Sequence, residues 1–291
     1  MDRRPLLVLG GSGQLGQALR RELAARGRDF LAPPRAEIDL LDPRPAAEWI
    51  ERHRPTAVIY AAAYNDVARA ELNAEAREVF LLNRDTPTAL ARSCRLVGAR
   101  FVFLSSDFVF DGRTDRPYTE NDSPRPLQVY GRSKLEGELG VRQADPQALI
   151  VRTSTLFGPG RRGRPNYVDA ILAQARSADR IRVVRPPVAS PTYTVDLAGA
   201  LVQLLERDAC GLFHVVNSGQ CSRLELARET LRRAAATRVA VEERPDPCDG
   251  PRRPAFCALD AGRFALWSGA GLRPWQEALA EHILATGCRG G

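Results

Sequence analysis

The sequence predicts an α/β fold: a doubly wound parallel sheet with a smaller C-terminal lobe interleaved with it. Three observations carry this. A short apolar run at 5–9 passes directly into Gly10-Gly11-Ser12-Gly13-Gln14-Leu15-Gly16, and the helical pattern of Leu15, Leu19, Leu23 and Ala24 follows. Apolar runs and helical patterns then alternate as far as Thr155, the signature of parallel strands joined by crossover helices. Small or polar residues close several of these runs, at the strand ends where open α/β sheets bind ligands.

The glycines at positions 10, 13 and 16 stand between a strand and a helix, so the backbone can approach a pyrophosphate at the helix N-terminus. A dinucleotide is therefore expected over Gly10, Ser12, Gly13 and Gly16. A second strand at 29–32 ends in Pro33-Pro34-Arg35, where a ribose-binding acidic residue would select NAD and an arginine suits a 2′-phosphate. Arg35 tips the expectation toward NADPH, with NADH left open. A helix at 46–53 leads to a third strand at 56–60. Ala61-Ala62-Ala63 follows, small enough for a flat cofactor to lie on the backbone.

One long helix is expected over 74–97. A fourth strand at 99–104 ends in Ser105-Ser106-Asp107, and a fifth lies at 148–152. Residues 1–155 are thus read as a dinucleotide-binding (Rossmann) domain. Residues 156–291 are read as mainly a substrate-binding lobe, with about 181–215 returning to the sheet. A basic glycine loop is expected at 158–165, a helix at 167–178, strands at 181–184 and 212–216, helices at 196–205, 222–235 and 275–285, and a loop at 243–254.

Composition removes several classes of function. No apolar run reaches the ~18 residues of a membrane span, and no signal-peptide core follows the N-terminus, so a cytoplasmic location is expected. The six cysteines include no Cys-x-x-Cys and read as reduced packing thiols, with no metal site expected. The net charge of +7 comes from arginines spread along the whole chain, without the dense basic run of a nucleic-acid binder. His53, His214 and His282 are too scattered for a metal or a hydrolase triad.

Of 42 basic residues 41 are arginine, and the single lysine, Lys134, stands four residues after Tyr130. On a helix that pair shares a face. An ammonium ~4 Å from a phenol at an effective dielectric of ~20 contributes about 4 kcal/mol, enough to pull the tyrosine pKa toward neutrality. Such a tyrosine exchanges a proton with a carbonyl or alcohol near pH 7.

Motifs in order then carry a family resemblance. They are Gly10 to Gly16, Ala61-Ala62-Ala63-Tyr64, Ser105-Ser106-Asp107-Phe108-Val109-Phe110-Asp111-Gly112, Pro126-Leu127 to Lys134, Arg152-Thr153-Ser154, Ser190-Pro191-Thr192 and Arg253-Pro254. Together they resemble the dTDP-4-dehydrorhamnose reductases, extended short-chain dehydrogenases acting on nucleotide sugars. The resemblance implies a catalytic set of Tyr130 as general acid, Lys134 lowering its pKa and holding the nicotinamide ribose, and Ser106, where the family has Thr, bonding the substrate carbonyl. It implies Ser106, Asp107, Thr155 and Arg253 in the substrate site, and Gly13, Gln14, Leu15, Asp39, Leu40, Ala62, Ala63, Tyr64 and Tyr130 around the cofactor.

Departures fall on the substrate side. Thr155 stands where the family has a sugar-contacting Trp, Pro186-Pro187 replaces Asp-Gln, and Arg253-Pro254-Ala255-Phe256-Cys257 ends in Cys instead of Ser. The implied activity is NAD(P)H-dependent reduction of a ketone on a nucleotide-activated 4-keto-deoxysugar. The alternatives are an epimerase or dehydratase of the same superfamily, and a non-catalytic NADP-binding subunit like the methionine adenosyltransferase β subunit. The sugar, the nucleotide and the assembly stay open, a homodimer among the choices.

Overall fold

The computed structural model describes residues 4–160, 165–245 and 252–287. Six parallel strands form its main sheet. β1 (Leu6–Leu9), β2 (Phe30–Leu31), β3 (Ala57–Tyr60), β4 (Arg100–Ser106) and β5 (Leu149–Thr153) are joined by a late strand, Gly211–His214. The spatial order is Gly211–His214, β5, β4, β3, β1, β2. The direction of winding therefore reverses between β1 and β3, which leaves a crevice at their carboxyl ends.

Every residue of β1, β3 and β5 is buried, as befits strands covered on both faces. Alternate side chains feed two cores. Leu6, Val8 and Ile59 pack with Leu15, Leu19 and Leu23 of α1 (Gln14–Ala25) and with Leu197, Leu201 and Leu204 of the Thr194–Glu206 helix. Leu7, Leu9 and Tyr60 face Ile50 of α2 (Pro43–His53), on the side where Leu90 and Val141 also lie.

The glycine turn fits the crevice closely. Gly10 has φ +85°, and a Cβ there would lie 2.6 Å from the backbone nitrogen of Ala62 at the end of β3. Only a residue without a side chain lets these two strand ends approach.

The helix expected over 74–97 runs unbroken from 76 to 97, with a π-helical turn inside it. Its parts are α3 (Ala76–Phe80), the π-helical turn (Leu81–Asp85) and α4 (Thr86–Val97). Pro87 sits at the start of α4, and the π turn frees Asn83 to bond outside the helix. α5 (Val129–Ala144) then runs from the crevice back along the sheet.

Beyond β5, the strand at Arg180–Val184 does not join the large sheet. It pairs in parallel with Ala240–Arg244, so Glu243 and Arg244, expected in a loop, belong to a strand. Only the Thr194–Glu206 helix and the Gly211–His214 strand from the 181–215 region lie with the main sheet. Helices Tyr167–Ala175, Arg223–Arg233 and Trp275–Ala285 build the smaller cores of the lobe. Ser222 and Glu225 cap the second of these reciprocally. Parts of the expected loops at 158–165 and 243–254, together with Cys248 and Cys288, lie outside the described residues. Among the described residues, no helix is long and apolar enough to cross a membrane.

Candidate active site

β4 delivers Ser106 and Asp107 to the crevice, and α5 delivers Tyr130 and Lys134 from its first two turns. The two elements meet tightly. A Cβ on Gly131 would sit 2.0 Å from the Phe108 carbonyl oxygen, so a glycine beside Tyr130 sets how near α5 comes. The Phe108 ring stands edge-on to Tyr130 with centroids 6.2 Å apart.

The Ser106 hydroxyl donates to Asp107 Oδ1 at 2.9 Å and accepts from the Phe108 backbone N–H at 3.2 Å. Asp107 Oδ2 accepts from the Ser154 hydroxyl at 2.6 Å and from the Cys257 thiol at 3.2 Å. Burial holds the Asp107 carboxyl above the usual range despite these bonds, and the same burial, with Asp107 beside it, raises the Cys257 thiol.

Tyr130 is half-buried. Burial pushes its pKa up to about 12; the hydrogen bond with Ser106 pulls the other way and the charge of Asp107 adds to the rise. The expected lowering by Lys134 is not found: desolvation of the phenol dominates, and Ser106 and Asp107, not Lys134, supply the other effects. Lys134 is itself 1% exposed, with Nζ making no hydrogen bond. Nζ lies 4.2 Å from the centre of the Phe103 ring. Burial brings its pKa from the ordinary 10.5 down to about 7, and Glu138, one helical turn further along α5, opposes that fall.

The expected cofactor residues surround the β1–β3 crevice. Gly13 N–H donates to the Gly10 carbonyl at 2.9 Å, and Gln14 Nε2 reaches across to the Gly158 carbonyl at 3.0 Å. Ser12 is exposed, while Leu15 and Gly16 pack inward. Ala62 and Ala63 follow β3, and Tyr64 donates its hydroxyl to Glu75 at 3.0 Å. Past β2, Arg35 Nε stands 3.7 Å from Asp39, both largely exposed, and Leu40 is buried beside them.

Two residues not singled out from sequence join the site. Asn83 is fully buried and accepts from the Tyr64 N–H at 3.0 Å. It donates to the Tyr64 carbonyl and to the Ser133 hydroxyl, both at 3.0 Å, and so ties the segment after β3 to α5. Asn83 follows the apolar run Val79-Phe80-Leu81-Leu82 and precedes Arg84-Asp85, so nothing local marked it. The second is Arg223, a guanidinium that interacts with Asp107, Cys257 and Arg253. Of the expected substrate residues, Arg253 is half-buried with an unpartnered Nε. Thr155 is half-buried too, its carbonyl accepting from the Thr192 N–H at 2.8 Å. The structure thus gathers Ser106, Asp107 and Tyr130 with Lys134 on the next turn, and leaves Arg35 and Asp39 at the far edge of the crevice.

Comparison with known proteins identifies the family. The family model for the RmlD substrate binding domain matches residues 3–287. A dTDP-4-dehydrorhamnose reductase of Mycobacterium tuberculosis is 38% identical over 288 residues, covering 96% of this chain and 92% of the relative. A dTDP-4-keto-6-deoxy-D-glucose reductase of Streptomyces niveus is 35% identical, covering 94% of this chain and 95% of the relative. The crystal structure of the Bacillus anthracis dTDP-4-dehydrorhamnose reductase in complex with NADP superposes with a TM-score of 0.90 at 29% identity, covering 97% of this chain and 99% of that one. With a family model spanning nearly its whole length and relatives matched end to end, the chain belongs to the dTDP-4-dehydrorhamnose reductase family.

Proposed function

We propose that the protein reduces the ketone of a dTDP-linked 4-keto-deoxysugar, with NADPH as the reductant and Tyr130 as the proton donor. The observation that carries this reading is the buried Lys134 Nζ, which has no hydrogen-bond partner one helical turn from Tyr130. An unpaired buried amine is costly, and the hydroxyls of a nicotinamide ribose would satisfy it. The Gly10–Ala62 approach supports a pyrophosphate at the start of α1. The relatives named as reductases of dTDP-4-keto sugars, and the relative crystallised with NADP, support the same cofactor and substrate class.

When bound, NADPH supplies a hydride to the ketone carbon. The chain's own residues deal with the charge that develops on oxygen. Tyr130, with its pKa near 12, carries its proton throughout the physiological range and is in the right state to give it up. A developing alkoxide is a much stronger base than a phenolate, so the transfer runs downhill. The Ser106 hydroxyl, beside Tyr130, would bond the same oxygen by turning its proton away from Asp107 Oδ1. Lys134, one helical turn from Tyr130, would relay the replacement proton through the ribose it holds. Arg35, past the end of β2 and 3.7 Å from Asp39, would favour a 2′-phosphate.

The test is turnover of a dTDP-4-keto-6-deoxysugar with NADPH. One NADPH consumed per alcohol formed supports the reductase. A rearranged or dehydrated sugar without net cofactor consumption would show an epimerase or dehydratase instead, and NADPH binding with no turnover on any such ketone would show a non-catalytic subunit.

A further inference from the structure

Gly158 joins the lobe to the glycine turn through one carbonyl. Its φ is +137°, and a Cβ there would lie 2.3 Å from Thr194 Oγ1, so a glycine is required where the chain leaves Phe157. The carbonyl accepts from Gln14 Nε2, at the start of α1, and from Asn166 Nδ2, both at 3.0 Å. Both of its lone pairs are then used, one by the dinucleotide turn and one by the lobe.

Asn166 is itself fixed. It caps the Tyr167–Ala175 helix, its Oδ1 accepting from the Asp169 N–H at 3.0 Å, and its Nδ2 also donates to Asp169 Oδ2 at 2.7 Å. The other oxygen of Asp169 takes His282, from the Trp275–Ala285 helix. A carboxylate only accepts, so His282 Nε2 carries the proton and donates to Asp169 Oδ1 at 2.8 Å. Hydrogen bonds thus run in series from His282 through Asp169, Asn166 and Gly158 to Gln14.

Packing alone would not select a histidine at 282. The side chain is buried against the rings of Phe157 and Tyr193, and its Nδ1 has no hydrogen-bond partner. A phenylalanine would fill the same aromatic site and leave no buried acceptor unsatisfied. What the imidazole adds is the bond to Asp169. That carboxylate is 26% exposed, so water competes for it wherever His282 does not hold it toward Asn166.

We propose that Asn166, Asp169 and His282 are positioning residues for NADPH binding. They hold the Gly158 carbonyl where it fixes the Gln14 amide at the start of α1, and so act on the dinucleotide site without touching the dinucleotide. This rests on NADPH as the bound cofactor, whichever ketone is reduced. An amide ordered before binding spares the ligand the entropy of ordering it, an effect of several-fold and not an all-or-none loss.

Titration of the whole protein with NADPH, followed by fluorescence, tests the series, and thermal unfolding of each sample reports its fold. Asn166→Ser keeps a capping oxygen for the helix and removes the donor to Gly158. His282→Phe keeps the aromatic packing and removes the donor to Asp169, whereas His282→Gln keeps a donor. The serine and phenylalanine variants are expected to weaken NADPH roughly 3- to 10-fold, with the glutamine variant within about twofold of wild type. In a Gln14→Met background their route to the cofactor is cut, and each should then change affinity by less than about twofold. A folded Asn166→Ser or His282→Phe protein with wild-type affinity would overturn the role given to that residue. An equal loss with and without Gln14 would overturn the proposal as a whole, because sites that act separately add. Should His282→Phe not fold, Asn166→Ser in the two backgrounds decides. A wild type that binds no NADPH would sink the cofactor reading and the proposal together.

Discussion

Glu138 accepts two charge-assisted hydrogen bonds from Arg152, from Nε at 2.8 Å and from Nη2 at 2.7 Å, with side chains 7% and 3% exposed. The carboxylate also takes the Ser105 hydroxyl, so α5, β4 and β5 are joined directly behind Ser106 and Lys134. Removing one partner of such a pair strands the other charge. Glu138→Gln should therefore cost about 3–5 kcal/mol, read as a lower denaturant midpoint with an unchanged slope. Replacing both, Glu138→Leu with Arg152→Met, should cost less than the sum of the single changes. Additive losses in that double-mutant cycle would show that the pair is not coupled.

With Lys134 at the ribose, cofactor binding should depend on pH. Its folded-state pKa near 7 lies below the ordinary 10.5, so between those values the unfolded chain holds a proton that the folded chain lacks. Lys134's contribution to stability consequently rises with pH across that window, and its full penalty applies below pH 7. A ligand whose hydroxyls accept from the ammonium favours the protonated form, so binding takes up a proton. NADPH affinity should fall as pH rises above about 7, by up to roughly tenfold per unit. Lys134→Met should bind more weakly and lose most of that slope. A wild-type affinity flat between pH 6.5 and 9 would contradict the role given to Lys134.

Tyr130→Phe removes the proposed proton donor and leaves the crevice walls. Its kcat should drop by about 10²–10⁴, while the dissociation constant for NADPH should change far less, since one hydroxyl contact at the ribose contributes only about 0.5–1.5 kcal/mol. Ser106→Ala should lose a smaller factor, and Ser106→Thr should recover most of it by restoring the hydroxyl. Steady-state rates on a dTDP-4-keto sugar check all three, and a Phe variant as fast as wild type would remove Tyr130 from the reaction.

The parts of this molecule legible in the sequence are those governed by local rules. The glycine turn is written in chain order, and the Gly10 contact with Ala62 only adds its reason. The Tyr130–Lys134 spacing likewise needed nothing more than helix geometry. Electrostatics were not legible in the same way. A pairwise estimate gave Lys134 control of the phenol, whereas burial of both groups, which depends on Phe103, Phe108 and the packing of α5, decides each pKa. The strand at Arg180–Val184 has an ordinary strand pattern, and nothing local says that its partner is Ala240–Arg244 and not the main sheet. Arg223 was lost among 41 arginines for the same reason: what marks it is an unpartnered donor in a fold, and composition hides that.

Asn83 offers the sharpest separation of scaffold from chemistry, because it touches the backbone of Tyr64 and the hydroxyl of Ser133 without being placed to reach a substrate. Its amide satisfies both polar backbone groups of Tyr64, next to the cofactor-side residues Ala62 and Ala63. Asn83→Asp keeps the acceptor for the Tyr64 N–H and sets a carboxylate against the Tyr64 carbonyl. Asn83→Leu loses all three bonds at similar volume. Each buried group left unsatisfied costs about 1–3 kcal/mol, so the leucine variant should be the less stable if the carboxylate takes a proton, and the aspartate variant should recover stability as pH is lowered. Both should bind NADPH more weakly, since the segment after β3 loses its tie to α5, and both should keep the Tyr130-dependent rate once saturated. Thermal unfolding at pH 5.5 and 8, with NADPH titrations on the same samples, checks this. An Asn83→Leu variant with wild-type cofactor affinity would show that the bridge is only structural.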